Sequence, residues 1–129
     1  MGKVVKCYII ICDDFNAVLI ASKGKRKMQK VWSIFGKDIK GKETPEKCAT
    51  KAIDKDLNCT IFDMTPFKEY VLDENSKDTS LVYTGKVKHY ITTHKDINQI
   101  KWITERELDM YDFNSDEKEI LMDFFKSMK

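Results

Sequence analysis

The sequence predicts an α/β fold, and three observations carry that reading. Val4 to Cys12 is a β-branched and aromatic run with almost no polar break, the pattern of a buried central strand. Thr44-Pro45-Glu46 has the chemistry of a helix start: threonine as N-cap, proline at the first helical position, where its missing N–H removes nothing, and an acid near the positive end of the helix dipole. Strand-like alternation then returns from Leu81 to Thr92, before an amphipathic stretch from Ser115 to Met128.

The remaining elements follow from local chemistry. Asp13-Asp14-Phe15-Asn16 supplies turn residues, and Ala17 to Ser22 returns as a second strand, so the chain is expected to open with a β-hairpin. Lys23 to Lys30 is basic and polar and reads as a solvated loop. Val31 to Phe35 is a short strand carrying Trp32, and the glycine-containing segment Gly36 to Glu43 has no periodicity and reads as a loop. The helix begun at Thr44 should reach about Leu57, with Cys48, Ala49, Ala52, Ile53 and Leu57 as its apolar stripe and Asn58 as a left-handed stop. Thr60 to Met64 and Pro66 to Leu72 are two strands or one bent strand, joined by the turn Asp73 to Asp78 to the Leu81 strand as a second hairpin. Ile97 to Ile103 is a further strand and Glu105 to Asp109 one helical turn. The closing helix gathers Ile120, Leu121, Phe124, Phe125 and Met128 on one face.

The gross numbers exclude several classes. With 129 residues, 42% hydrophobic content and a net charge of +2, the chain is expected to be one folded domain over residues 1–129; disorder needs low hydrophobicity together with large net charge. Arg26 and Arg106 are the only arginines, so bidentate phosphate or guanine recognition has two places at most. The apolar run Tyr8 to Cys12 is far short of the roughly 20 residues of a membrane span. The four cysteines, Cys7, Cys12, Cys48 and Cys59, form no C-x-x-C pair and no signal-like segment opens the chain, which fits a reducing, cytoplasmic setting.

Against this background, the stretch from Trp32 to Cys59 resembles the signature of the Nudix family: glycine, five residues, glutamate, seven residues, then Arg-Glu-aliphatic-x-Glu-Glu-x-Gly-aliphatic, usually preceded by tryptophan and a glycine pair. Gly36 takes the first glycine of the pair, Lys37 stands where the signature glycine is expected, and Glu43-Thr44-Pro45-Glu46 reproduces the common start. Lys51 then stands for the arginine, Ala52 for the first glutamate, Ile53 for the aliphatic, Lys55 and Asp56 for the paired glutamates, Asn58 for the glycine and Cys59 for the last aliphatic. Outside the box, Ile97 to Ile103, Glu107-Leu108 and the terminal helix are also similar, so the likeness covers nearly the whole chain. It implies a mixed β-sheet sandwiched between the box helix and the C-terminal helix.

It also implies phosphoanhydride hydrolysis dependent on magnesium or manganese, with Glu43 and Asp56 as the surviving catalytic carboxylates. Glu43, Glu46, Asp56 and Asp96 are the candidate metal ligands, and Lys37, Lys51, Lys55, Trp32 and Arg26 the candidate substrate contacts. Positions 52, 55 and 56 share one helical face by their i, i+3, i+4 spacing, and here that face offers a methyl, an ammonium and one carboxylate. An ammonium about 4 Å from a cation repels it by roughly 1 kcal/mol per unit charge of the cation in a water-like dielectric. The expected function is therefore binding, with slow hydrolysis at most, of a nucleoside diphosphate linked to another moiety. A catalytically silent nucleotide sensor and an RNA-end binder using the basic loop are the alternatives, and family habit makes a homodimer an open expectation. Trp32, Tyr83, Tyr90 and Trp102 read as core first and base-stacking platforms second. His89 and His94 have no metal-spaced partners and read as surface groups, although His94 and Asp96 sit where the family often recruits an extra acid or base.

Overall fold

The computed structural model describes residues 3–13, 15–23, 31–58, 61–87 and 97–127. Its strands are β1 (Val4–Ile11), β2 (Val18–Lys23), β3 (Trp32–Ser33), β4 (Phe35–Asp38), β5 (Ile61–Asp73), β6 (Asp78–Val87) and β7 (Ile97–Ile103). The helices are α1 (Pro45–Leu57) and α2 (Ser115–Ser127), the second preceded by a 3-10 turn at Glu105–Met110. One sheet has the order β4-β1-β6-β5, mixed because β1 runs parallel to β6 and antiparallel to β4; the other is antiparallel, in the order β3-β2-β7.

Strand alternation divides the core into two layers. Cys7, Ile9 and Ile11 of β1, with Leu19 and Ala21 of β2, pack under the α1 stripe of Cys48, Ala49, Ala52, Ile53 and Leu57. Tyr8 and Ile10, with Val18 and Ile20, face the other way onto Ile120, Leu121, Phe124 and Phe125 of α2. Each fully buried aliphatic or aromatic side chain contributes about 1.5–3 kcal/mol relative to exposure, so these two layers are what hold the helices on the sheets.

The box helix forms where its sequence places it. The Thr44 hydroxyl accepts the Lys47 backbone N–H at 3.2 Å, Pro45 opens the first turn, and Asn58 closes the helix in the left-handed region at φ 50°. The first turn of the chain also behaves as its residues require: Asp13 Oδ1 accepts the backbone N–H groups of Phe15 and Ala17 at 2.9 and 2.8 Å. Pro66 is tolerated inside the 13-residue β5 because that strand lies at the sheet edge. Tyr70 and Lys68 fasten β5 to α2, both donating to Asp123 Oδ2, at 2.7 and 3.3 Å.

Three expectations are corrected. β1 and β2 do not form an opening hairpin: they share the bridge Cys12↔Val18 and then diverge, because both edges of β1 are occupied by β4 and β6. The Val31–Phe35 strand is two strands that change sheets at Ile34, whose backbone N–H is taken at 3.1 Å by the buried carboxylate of Glu117 in α2. Gly36 to Asp38, read as loop, instead continues β4 against β1, with Gly36 opposite Tyr8 and Lys37 opposite Cys7. The Leu81–Thr92 strand is described as far as Val87, and Met128 of the last apolar stripe lies outside the described residues. No helix among the described residues is long and apolar enough to cross a membrane.

Candidate functional site

The box loop turns at Gly41, which has φ 61°, and delivers Glu43 to the start of α1. There Lys51 Nζ, two turns further along the helix, donates to Glu43 Oε2 at 2.9 Å. Only 13% of the Glu43 side chain is accessible against 63% for Lys51, so the carboxylate is the sheltered partner. The Lys51 ammonium beside it, outweighing partial desolvation, holds the Glu43 carboxyl below its ordinary 4.5, with Lys37 adding a smaller pull. Reciprocally, Glu43 raises Lys51 above its ordinary 10.5. The structure thus brings Lys37, Glu43 and Lys51 together.

This pair makes a pH prediction. A carboxyl lowered in the folded state contributes stability that is complete above 4.5 and lost as pH falls through its lowered value. A raised lysine contributes stability that is complete below 10.5 and lost as pH rises through its raised value. Glu43→Gln is therefore expected to be less stable than the wild type across the plateau between, with the gap closing at both ends. Urea midpoints across the pH range test this, and a gap that persists unchanged well below pH 4.5 would refute it.

The other sequence-nominated residues occupy different settings. Ala52 is 3% exposed and packs in the α1 layer, Lys55 is exposed, and Asp56 is half-buried. Glu46 is exposed beside an open surface hollow of about 550 Å³ lined by Thr44, Lys47, Thr50 and Lys51. Among the described residues, no three Asp, Glu, His or Cys side chains come together in a way that holds a metal ion. Trp32 is 8% exposed in the α2 layer, edge-on to Tyr111 with ring centroids 5.2 Å apart, which accounts for it as a core residue. Tyr83 is also core, whereas Trp102, expected inside, is 39% exposed on the edge strand β7. Arg26, Tyr90, His89, His94, Asp96 and the basic loop from Gly24 to Lys30 lie outside the described residues.

Sequence reasoning missed a second set of residues on the opposite face of β4. Lys6, Tyr8, Ser33, Gly36, Asn114 and Asp116 line a cavity of about 320 Å³ between the β1–β4 pair and the start of α2. Lys6 Nζ sits 4.7 Å above the Tyr8 ring. Burial works against the Lys6 charge, but the Tyr8 hydroxyl, Asp38 and Glu117 outweigh it and the ammonium is held more firmly than usual. Glu117 is buried at this wall, its Oε1 accepting from Ile34 N and its Oε2 from Asn114 Nδ2 at 3.3 Å, so the amide is fixed in orientation. Tyr8 and Asp116 also border an adjoining cavity of about 210 Å³ lined by Tyr70, Ser80 and Glu119. The Ser80 hydroxyl is buried there with no hydrogen-bond partner among the described residues. The one sequence signal for this region was the polar cluster Asn114-Ser115-Asp116-Glu117, which reads equally well as an ordinary helix start.

No family model matches the chain, and no curated protein does. Solved structures do. A MutT from a study of the enzymes of Aliivibrio salmonicida and Vibrio cholerae superposes with a TM-score of 0.80 at 13% identity, over 98% of this chain and 99% of that one. The MutT NUDIX hydrolase of Burkholderia pseudomallei gives 0.72 at 15% identity, over 95% and 98%. The NUDIX domain of Shewanella oneidensis NrtR, solved in complex with ADP ribose, gives 0.74 at 10% identity, over 100% and 90%. The chain has the Nudix fold, with a mixed sheet and two helices.

Proposed function

We propose that this Nudix-fold chain binds a nucleoside diphosphate linked to another moiety and hydrolyses it slowly or not at all. The observation that carries the reading is the composition of one helical face. Where the resemblance calls for a carboxylate platform, the chain has a core-packed methyl at Ala52, an exposed ammonium at Lys55 and one half-buried carboxylate at Asp56. Glu43 is already engaged by Lys51. Magnesium asks for near-octahedral oxygen ligands, usually including one or two carboxylates, and an adjacent ammonium opposes the ion. The described residues therefore fit a divalent cation poorly, and no chemical step is assigned to one.

Binding needs less. Lys37 and Lys51 supply cations beside the box loop, where phosphate oxygens can be held by charge-assisted hydrogen bonds. Across β4, the cavity bordered by Lys6 and Tyr8 offers a further cation, the oriented Asn114 amide and the Asp116 carboxylate, groups suited to the polar edges of a nucleobase. Gly36 lines that cavity and its neighbour Lys37 acts on Glu43, so the two regions meet at adjacent residues. That the NrtR domain was solved with ADP ribose supports a ligand of this type as the first to test.

The test is a thermal-shift series with ADP ribose and other nucleoside diphosphate derivatives, with and without magnesium or manganese, followed by chromatography of products. Stabilisation without metal is expected. At a hundredfold excess over Kd it amounts to about 2.7 kcal/mol, a rise of roughly 10 °C for a domain of this size. Stabilisation that requires metal and is accompanied by rapid product formation would overturn the reading.

A further inference from the structure

We propose that Cys7 and Cys48 are a modification site: a dithiol that a peroxide oxidises to an intramolecular disulfide, stapling β1 to the first turns of α1 directly behind Glu43. The two sulfurs are 3.2 Å apart although 41 residues separate them in sequence. That is little more than 1 Å beyond a covalent bond of roughly 2.05 Å. Both side chains are completely buried and neither is in a disulfide. Their positions follow from the packing: Cys7 is on the β1 face that looks at α1, and Cys48 is in the α1 stripe that looks back. Interiors this close-packed leave little room for either sulfur to swing away. Both sulfurs also lie within hydrogen-bond reach of one backbone group, the Lys37 carbonyl, at 3.5 and 3.7 Å, and Cys48 within reach of the Asp38 carbonyl at 3.6 Å, so each single S–H has alternative acceptors.

The two sulfurs are not equivalent. Burial, reinforced by Cys48, pushes the Cys7 thiol up to about 12. Burial also raises Cys48, but the Cys7 S–H donates to it and so favours its thiolate, while Glu43 opposes. The disulfide is the same whichever sulfur is oxidised first, and Cys48 can take that step. Its thiolate attacks one peroxide oxygen, the O–O bond breaks, and a sulfenic acid and hydroxide result. The Cys7 sulfur then attacks the Cys48 sulfur; the S–S bond forms, the S–O bond breaks, and water leaves carrying the Cys7 proton. Two thiols and one hydrogen peroxide give one disulfide and two waters. Because both sulfurs are completely buried, peroxide reaches them only on local opening of the contact between β1 and α1, and the reaction is slow. The crosslink takes the S–H donors away from the Lys37 and Asp38 carbonyls and fixes the helix start to the sheet.

The test treats the folded, reduced full chain with hydrogen peroxide, then alkylates it under denaturing conditions with one reagent before reduction and a second after. The intact mass is expected to fall by two hydrogens. Cys7 and Cys48 should carry only the second label, and trypsin should release Cys48–Lys51 joined to Cys7–Lys23. Cys12 shares the second peptide, so the mapping is repeated in Cys12→Ser, where the link should persist, and in Cys7→Ser and Cys48→Ser, where it should vanish. The melting temperature should rise on oxidation and return on reduction. First-label alkylation of Cys7 and Cys48, their recovery as sulfinic acids, or a link that maps to Cys12 or Cys59 would each overturn the proposal. None of these outcomes depends on ligand binding.

Discussion

Lys55→Glu is expected to give the chain a divalent-cation affinity about a thousandfold higher than that of the wild type, measured by calorimetric titration with manganese. The substitution changes the charge at this position by two units, beside the carboxylate of Asp56. One unit charge about 4 Å from a divalent ion is worth roughly 2 kcal/mol in a water-like dielectric, and the exposure of Lys55 makes that dielectric the appropriate one. Two units give about 4 kcal/mol, which is a factor of roughly a thousand. Where the proposed nucleotide binding holds, metal-dependent product formation should appear alongside it. An unchanged manganese affinity would mean that the ammonium at 55 is not what keeps a cation away. Ala52→Glu is not the matching test. Ala52 packs in the α1 layer, and a carboxylate forced in there without a partner is opposed by its own desolvation, so the protein would lose stability before any site formed.

What was legible in the sequence was what depends on near neighbours. The α1 stripe of Cys48, Ala49, Ala52, Ile53 and Leu57 is buried residue for residue because one helix face is fixed by its own spacing, and Thr44, Pro45 and Asn58 act on backbone groups within a turn of themselves. The Asp13 turn and the stripe of α2 from Ile120 to Phe125 were readable for the same reason. Partner choice was not readable. Nothing local in Val4 to Cys12 says that both edges of that strand are filled by β4 and β6, so the opening hairpin was a reasonable reading and still incorrect. The candidate site divides along the same line. Glu43 and Lys51 stand eight positions apart and were both nominated, but their direct pairing depends on the path of the box loop. Asn114, Asp116 and Tyr8 come together only because α2 returns across β1, a contact that spans most of the chain.

Gly36→Ala is expected to destabilise the protein by about 3 kcal/mol, the upper end of the usual range for overpacking, and clearly more than Gly85→Ala. Both glycines sit in strands, and a methyl added at either meets an atom closer than 3 Å; what differs is which atom has to move. At Gly36 the new Cβ falls 2.7 Å from the Cys7 carbonyl oxygen and 2.8 Å from the Tyr8 ring. The carbonyl belongs to the central strand of the sheet, so relief means separating β4 from β1. Tyr8 is confined by the α2 layer on its other side. At Gly85 the closest atoms, at 2.5 and 2.7 Å, are the end of the Ile61 side chain, which can adopt another rotamer for roughly 1 kcal/mol. Chemical denaturation of the two variants side by side measures the difference, and equal losses would show that β4 yields as readily as a side chain. The same comparison bears on the ligand reading, because Gly36 separates the Tyr8 cavity from Lys37. A β4 displaced by the methyl should weaken ADP ribose binding even at temperatures where Gly36→Ala is still folded, whereas Gly85→Ala should bind as the wild type does.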